Sequence, residues 1–436
     1  MQMPTTWQGK HKVGSMSARQ TTSTLSVLDQ YRRIIGSRTY FPLWLGQLVS
    51  NFGDTLNYVA LVILVLRLTG SGIAVSLTVV LEIVPVLLLA PVAGVVIDRF
   101  PRKAILIASD LVRAALAAGL ALANSSIQVY VIVALFTCAS VFFNPTVQAV
   151  TPGLVQSDLL LAANSVAWTT GRLVQIIASA LAGGLIAWVG TGSAFLLNAL
   201  TFVFSALMIA RLKIPARAGE VDRSNKRGFS GWIGDAGEGL RYVRHDSFVL
   251  RLLLVQALAS LSVGATGALL VVLAERQMHL PPEGFAWLLM AIGAGALIGP
   301  LLLGSFTRNY QDTRLLFVPY IIRGVGDVLL AIVSAPVALI VLFVYGLNTS
   351  TGMVVYSSLM QSHVPAEMRG RVFTLMDLTW NLMRLISLAL GGVAAEWLGI
   401  AAVYYAGGSL LAMSGLFGLL LLGRHKFNRA EAAVDA

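Results

Sequence analysis

Asp54 stands near the middle of a long apolar run, and Gln47, Asn51 and Tyr58 accompany it at spacings of four, three and four residues. On a helix these positions form one polar stripe, which should face water rather than lipid. Glu82 lies in the next apolar run, three residues before Pro85, at a similar expected depth. Burial disfavours the charged form of a carboxylate, and a second carboxylate nearby disfavours it further. Such a group takes a proton from one side of a barrier and releases it to the other as its exposure changes, and an organic cation competes with the proton. Asp54, helped by Glu82, is therefore the expected proton-coupling pair, with Gln47, Asn51 and Tyr58 in the wall of a substrate cavity.

Two further stripes carry charge. Asn164, Trp168, Arg172, Gln175 and Ser179 share one helical face, and Asp377, Asn381 and Arg384 share another. Both are expected to line the same cavity. Arg172 and Arg384 suit either neutralising a carboxylate or binding an anionic substrate, and an ion pair within or across helices is the preferred reading of Asp377 and Arg384.

The elements that must position these groups follow from composition. Of 436 residues, 57% are hydrophobic and 12% charged, with a mean hydropathy of +0.79. Soluble domains carry roughly 25% charged residues, so this chain cannot cover a globular surface with polar groups. Apolar runs at 43–67, 73–97, 104–123, 128–150, 164–188 and 192–212 precede a charged segment. A second group follows at 249–273, 284–306, 314–334, 336–360, 372–397 and 400–423. Each is near the roughly 20 residues that a helix needs to cross a bilayer. The expected fold is all-α: twelve transmembrane helices in two pseudo-symmetric six-helix bundles. Residues 1–42 form an N-terminal tail, 43–212 the first bundle, 213–248 a linker, 249–423 the second bundle and 424–436 a C-terminal tail. Three echoes support a duplication: Gln148-Ala-Val-Thr-Pro152 with Gln361-Ser-His-Val-Pro365, Gly183-Gly184 with Gly391-Gly392, and Gln47 and Asn51 with Gln256 and Ser260. A substrate site between such repeats sits near the midplane.

Other chemistries drop out. Cys138 is the only cysteine, the five histidines lie in tails and loops, and no G-x-x-x-x-G-K-[ST] run is present, so no cofactor, metal site or ATP-driven step is expected. With both termini in the cytoplasm, 25 of the 31 Lys and Arg residues fall on the cytoplasmic side. The basic balance is a topology signal, and nucleic acid is not an expected partner. The polar N-terminal tail has no apolar core of the kind a cleaved signal peptide needs. In the linker, Phe229, Trp232, Ile233, Leu240 and Val243 oppose Asp235, Glu238, Arg241 and Arg244, which predicts an amphipathic helix along the cytoplasmic surface.

The loop after the second apolar run reads Gly94-Val-Val-Ile-Asp98-Arg99-Phe100-Pro101-Arg102-Lys103. It resembles the G-x-x-x-D-R-x-G-R-[RK] signature of the major facilitator superfamily, with Pro101 in place of a glycine. The resemblance implies a conformational latch formed by Gly94, Asp98, Arg99, Arg102 and Lys103. Asp110 and Arg113, about 10 Å inside that surface by helical rise, are expected to support it, as are Arg323 and Asp327 in the second half. The run Ser179-Ala180-Leu181-Ala182-Gly183-Gly184 is a weaker likeness to an antiporter motif, without its Gly-Pro. Leu45-Gly46-Gln47 through Gly53-Asp54, Leu68-Thr69-Gly70-Ser71, Glu238-Gly239-Leu240-Arg241-Tyr242-Val243 and Val364-Pro365-Ala366-Glu367-Met368-Arg369-Gly370-Arg371-Val372 are similar to the macrolide-efflux and enterobactin-exporter branch. That branch implies proton-coupled export of an amphipathic organic compound, not an enzymatic reaction. The chain would act as a monomer among the lipids of a bacterial cytoplasmic membrane. Uptake of an anionic metabolite and lipid or lysolipid flipping are the alternatives.

Overall fold

An apolar medium leaves backbone polar groups no partners but one another, and the chain answers with helices. The computed structural model describes residues 32–156, 159–212, 229–281, 284–306 and 312–423, so most of the expected N-terminal tail, the start of the linker and the C-terminal tail lie outside the described residues. No strand occurs among the described residues. The first half comprises α1 (Phe41–Thr69), α2 (Gly72–Arg99), α3 (Arg102–Ala121), α4 (Ser126–Leu154), α5 (Ala162–Ile186) and α6 (Gly190–Ala210). The linker helix α7 (Phe229–His245) leads to α8 (Ser247–Ala268), α9 (Leu270–Arg276), α10 (Gly284–Phe306), α11 (Arg314–Leu330), α12 (Ala335–His363), α13 (Ala366–Trp397) and α14 (Ile400–Leu422).

Ten of these helices are long and apolar enough to cross a membrane. The two remaining expected spans coincide with α10 and α11, and α11 has only 17 residues. Local signals set the boundaries. Gly70 closes α1 in the left-handed region with φ +61, and its N–H donates to the Leu66 carbonyl. Ser71 and Ser125 accept from the Ala74 and Gln128 N–H groups at the starts of α2 and α4. Gly190, at φ +80, breaks the chain between α5 and α6.

The apolar cores show how the halves are arranged. One core joins both halves at the end away from the basic loops, with Leu61, Ile63 and Phe195 of the first half beside Val272, Phe285 and Tyr404 of the second. At the basic end each half has its own core, around Leu43, Leu106 and Ile209 in the first and Leu252, Phe317 and Met360 in the second. The molecule is therefore closed at the far end and parted at the basic end.

A polar tie adds to the far-end closure. The Gly72 N–H at the start of α2 donates to Glu396 Oε1 of α13 at 2.7 Å, Arg276 of α9 stands 3.7 Å from Glu396 Oε2, and Arg276 also donates to the Gly70 carbonyl. A carboxylate in the last turn of its own helix opposes that helix's dipole, and here the N-terminus of α2 offsets this. The ion pair itself is about one-third exposed on each side and contributes little, at most ~1 kcal/mol.

The basic-end loop is built within the first half. Arg102 donates to the Ala149 carbonyl at 2.7 Å, and Lys103 donates to the Ala210 and Leu212 carbonyls at 2.6 and 2.8 Å, capping the end of α6. Gly94 is exposed, and a Cβ there would meet nothing within 4 Å, so no neighbouring helix packs closely on this glycine. A Cβ at Gly184 would likewise meet nothing, whereas Gly391 and Gly392 pack against Ala265 and Ser76.

The side chains of Phe229, Trp232, Ile233 and Asp235 lie outside the described residues, and the rest of α7 docks on the second half. Val243 is fully buried, Gly239 abuts the Arg371 backbone, and Glu238 pairs with Arg371 at 2.7 Å. Asp246 caps α8 through the Phe248 and Val249 N–H groups and meets His363 Nε2 at 2.9 Å. Burial disfavours its charge, but the Val249 N–H, the His363 imidazole and the Phe248 N–H outweigh that and hold its carboxyl below the usual carboxylate range.

Helix α1 crosses α6 closely at Gly46 and Gly53. A Cβ on Gly53 would collide with Thr201 and Asn198, and one on Gly46 would press on Ser205. Small residues at a helix contact let backbones approach, and this crossing fixes the rotation of α1 and hence the direction of Asp54. Gly53→Ala is expected to lower stability by about 1–3 kcal/mol, as overpacking does, while Gly94→Ala stays within about 0.5 kcal/mol. Thermal unfolding in detergent reads both, and equal effects would contradict the packing described. Glu396→Ala is expected to shift the molecule toward far-end opening, which spin labels placed near residues 71 and 398 would report as a longer distance population. An unchanged distribution would mean that the apolar core alone holds that end.

Candidate functional site

Between the halves lies a cavity of about 590 Å³, walled by α1, α5, α10 and α12. Asn51, Asp54 and Tyr58 of α1 and Gln175 and Ser179 of α5 supply its polar side, and Leu289, Ile292 and Met353 its apolar side. Asn51, Asp54 and Tyr58 also line a second, more polar pocket of about 250 Å³ inside the first half, together with Gln47, Glu82 and Arg113. Asp54 therefore stands in the wall common to a largely apolar chamber and a polar recess.

The recess gathers ionisable groups from three helices. Arg113 of α3 is the cation whose field acts on Asp54, and the Asn198 amide of α6 adjoins it. Two rings hold Arg113, its guanidinium 4.2 Å from the Phe143 ring centroid and 4.3 Å from that of Phe202. It also pairs with the fully buried Asp110 at 2.5 Å. Glu82 of α2 lies within electrostatic reach of Arg384 and Asp54, and Arg384 also acts on Tyr58. Arg384 belongs to α13, so the field around Glu82 crosses between the halves.

The structure thus brings Gln47, Asn51, Asp54, Tyr58, Glu82 and Gln175 to connected cavities. The side chain of Arg172 lies outside the described residues. Asp377 is exposed, Asn381 bonds back to the Asp377 carbonyl on its own helix, and neither lines the two cavities. Asp377 and Arg384 form no ion pair among the described residues, and Arg384 lies within electrostatic reach of Glu82 and Tyr58 of the first half. Asp110 and Arg113 adjoin the carboxylate recess, while Arg102 and Lys103 tie the loop below it. Sequence reasoning passed over Thr349, Ser350 and Met353 of α12 and Gly293 of α10, which complete the chamber. The polar run Asn348-Thr349-Ser350-Thr351 inside an apolar span was the available signal.

Described residues contain no group of three His, Cys, Asp or Glu side chains able to hold a metal ion. The arrangement leaves room for an organic molecule between the halves, with Asp54 in its wall and Glu82 in the adjoining recess.

Known proteins place this geometry. The chain is 28% identical over 391 residues to the uncharacterized MFS-type transporter YfiS of Bacillus subtilis, covering 86% of this chain and 91% of that protein. It is 26% identical over 382 residues to macrolide efflux protein A of Streptococcus pyogenes, covering 85% and 93%. Its fold is similar to the crystal structure of a bacterial homologue of the iron transporter ferroportin in an inward-facing state, with a TM-score of 0.70, 18% identity and coverage of 92% and 100%. The profile of the Major Facilitator Superfamily matches residues 43–388 and again 252–434, and the chain belongs to that superfamily of membrane transporters.

Proposed function

We propose that this transporter exports an amphipathic organic cation in exchange for protons, with Asp54 as the group that both compete for. The observation that carries the reading is the position of Asp54 in the wall shared by the two cavities. A cation in the larger chamber can set its apolar body against Leu289, Ile292 and Met353 and its charge at Asp54, while Glu82 and Arg113 approach the same carboxylate from the recess. The excess of Lys and Arg at the parted end supports a cytoplasmic orientation for that end, and hence a conformation ready to load from the cytoplasm. The likeness to macrolide efflux protein A agrees with export. A bacterial cytoplasmic membrane is the location we infer, and because one chain encloses the whole chamber, a monomer suffices.

Alternating access in this scheme is an exchange of closures. The far-end core and the Gly72–Glu396 tie open as the two basic-end cores meet, and the loop from Asp98 to Lys103 then faces the second half. Uptake of an anionic metabolite is the weaker reading, because Arg384 lines neither cavity and lies within electrostatic reach of Glu82.

Proteoliposomes under an imposed pH gradient test the proposal with a panel of cationic dyes and drugs. Wild type is expected to move at least one of them against its gradient, and Asp54→Asn to lose that movement by at least about tenfold, or 1.4 kcal/mol of coupling. Glu82→Gln should weaken it less. Proton-driven transport that survives in Asp54→Asn would refute the role of Asp54.

A further inference from the structure

The third expected span of each half, α3 and α11, carries a buried Arg–Asp couple, and the two couples are in different states. On α3, Arg113 Nη2 binds Asp110 Oδ1 at 2.5 Å. On α11, Arg323 and Asp327 are only 7% and 2% exposed, yet among the described residues they form no ion pair. Arg323 turns to α12 instead, donating from Nη2 to the Tyr345 hydroxyl at 2.7 Å and lying 4.3 Å from the centroid of that ring. Asp327 Oδ2 and Arg323 Nε are buried without a hydrogen-bond partner, as are Asp110 Oδ2 and Arg113 Nε, but here no ion pair compensates.

An ionised carboxylate so placed is very costly unless a cation or several donors hold it. Arginine cannot shed its charge, whereas a carboxylate can take a proton. The groups around Asp327 supply no other cation. They are Arg323 on its own helix, Thr266 on α8, Tyr345 on α12 and Tyr404 on α14, whose hydroxyl is committed to the Thr266 carbonyl at 2.6 Å.

We propose that Asp327 is a second proton-binding site of the transporter, housed in the other half from Asp54, and that Arg323 alternates between Tyr345 when Asp327 is protonated and Asp327 when it is not. Gln256, Tyr320, Arg323 and Asp327 form a polar line into the bundle, beginning with the partly exposed Gln256, which accepts from the Tyr320 hydroxyl. The state of the switch reaches the substrate chamber through α12. Tyr345 lies one turn before Thr349, whose hydroxyl donates to the Tyr345 carbonyl at 2.9 Å, and Thr349 lines the chamber. Releasing Arg323 from Tyr345 loosens that turn of the wall.

The site can be read on purified protein without any transport assay, so its failure is separable from failure of the export proposal. Infrared spectra at pH 7 are compared for wild type, Asp327→Asn and Asp110→Asn. The carbonyl stretch of a protonated carboxylic acid is expected in wild type, reduced in Asp327→Asn and retained in Asp110→Asn. Because Asn replaces a neutral acid, Asp327→Asn should melt within about 2 °C of wild type, and Asp110→Asn, which breaks a formed pair, should melt further below it. In Tyr345→Phe, Arg323 loses its acceptor, turns to Asp327, and the acid signal falls. An acid signal indifferent to Asp327→Asn overturns the proposal. If that variant cannot be purified, an acid signal unaltered in Tyr345→Phe overturns it instead.

Discussion

A charge placed inside an apolar bundle has to be paired, hydrated or neutralised by a proton, and the arrangement of this molecule follows from how each buried ionisable group meets that demand. Arg113 is paired with Asp110 and held by Phe143 and Phe202. Asp54 and Glu82 open onto cavities. Arg323 leans on a tyrosine. Lys103 and Arg102, at the edge, spend their charge on helix carbonyls. Rigid packing around the first pair and exposed volume around the carboxylates divide the first half into a scaffold and a site.

Apolar packing ties the two halves together at one end and leaves each with its own core at the other. The far-end core contains large side chains from both halves, including the fully buried Phe195, Phe285 and Tyr404, and cannot part gradually without losing contact along its whole face. Each half keeps its own core at the basic end, independent of the shared one. Close glycine contacts lie mainly within halves, as where Gly295 of α10 meets Phe343 of α12 and Gly324 of α11 meets Gly408 of α14. These contacts make each bundle stiff enough to carry a displacement from the cavity to the ends.

Much of this is legible in the chain. The stripe Gln47–Asn51–Asp54–Tyr58 names a water-facing side, because polar residues on one helical face inside an apolar run would be costly against lipid, and Glu82 is conspicuous for the same reason. Most spans follow from apolar length alone. The pairing of Asp377 with Arg384 misleads, because spacing along one helix cannot reveal that the guanidinium has a carboxylate available across the interface. A glycine such as Gly94 signals where approach is permitted, and only the conformation shows whether it is made. The open end cannot be read from sequence, since the same residues serve both states. Glu396 was open to inference, because an acid in the final turn of a helix requires a partner elsewhere.

Helix α11 has a consequence for the membrane around the protein. Its 17 residues rise only about 25 Å, against a hydrocarbon thickness near 30 Å. The side chains it exposes, Val318, Ile322, Val325 and Leu329, make an even shorter apolar strip. Lipid beside this helix must thin, or the helix must ride up and down against its neighbours, and either response carries a modest elastic cost for each ångström of mismatch. Bilayer thickness thereby becomes a mechanical load on the helix that bears Arg323 and Asp327, and a series of lipids differing only in acyl length would reveal that load as a graded change in turnover.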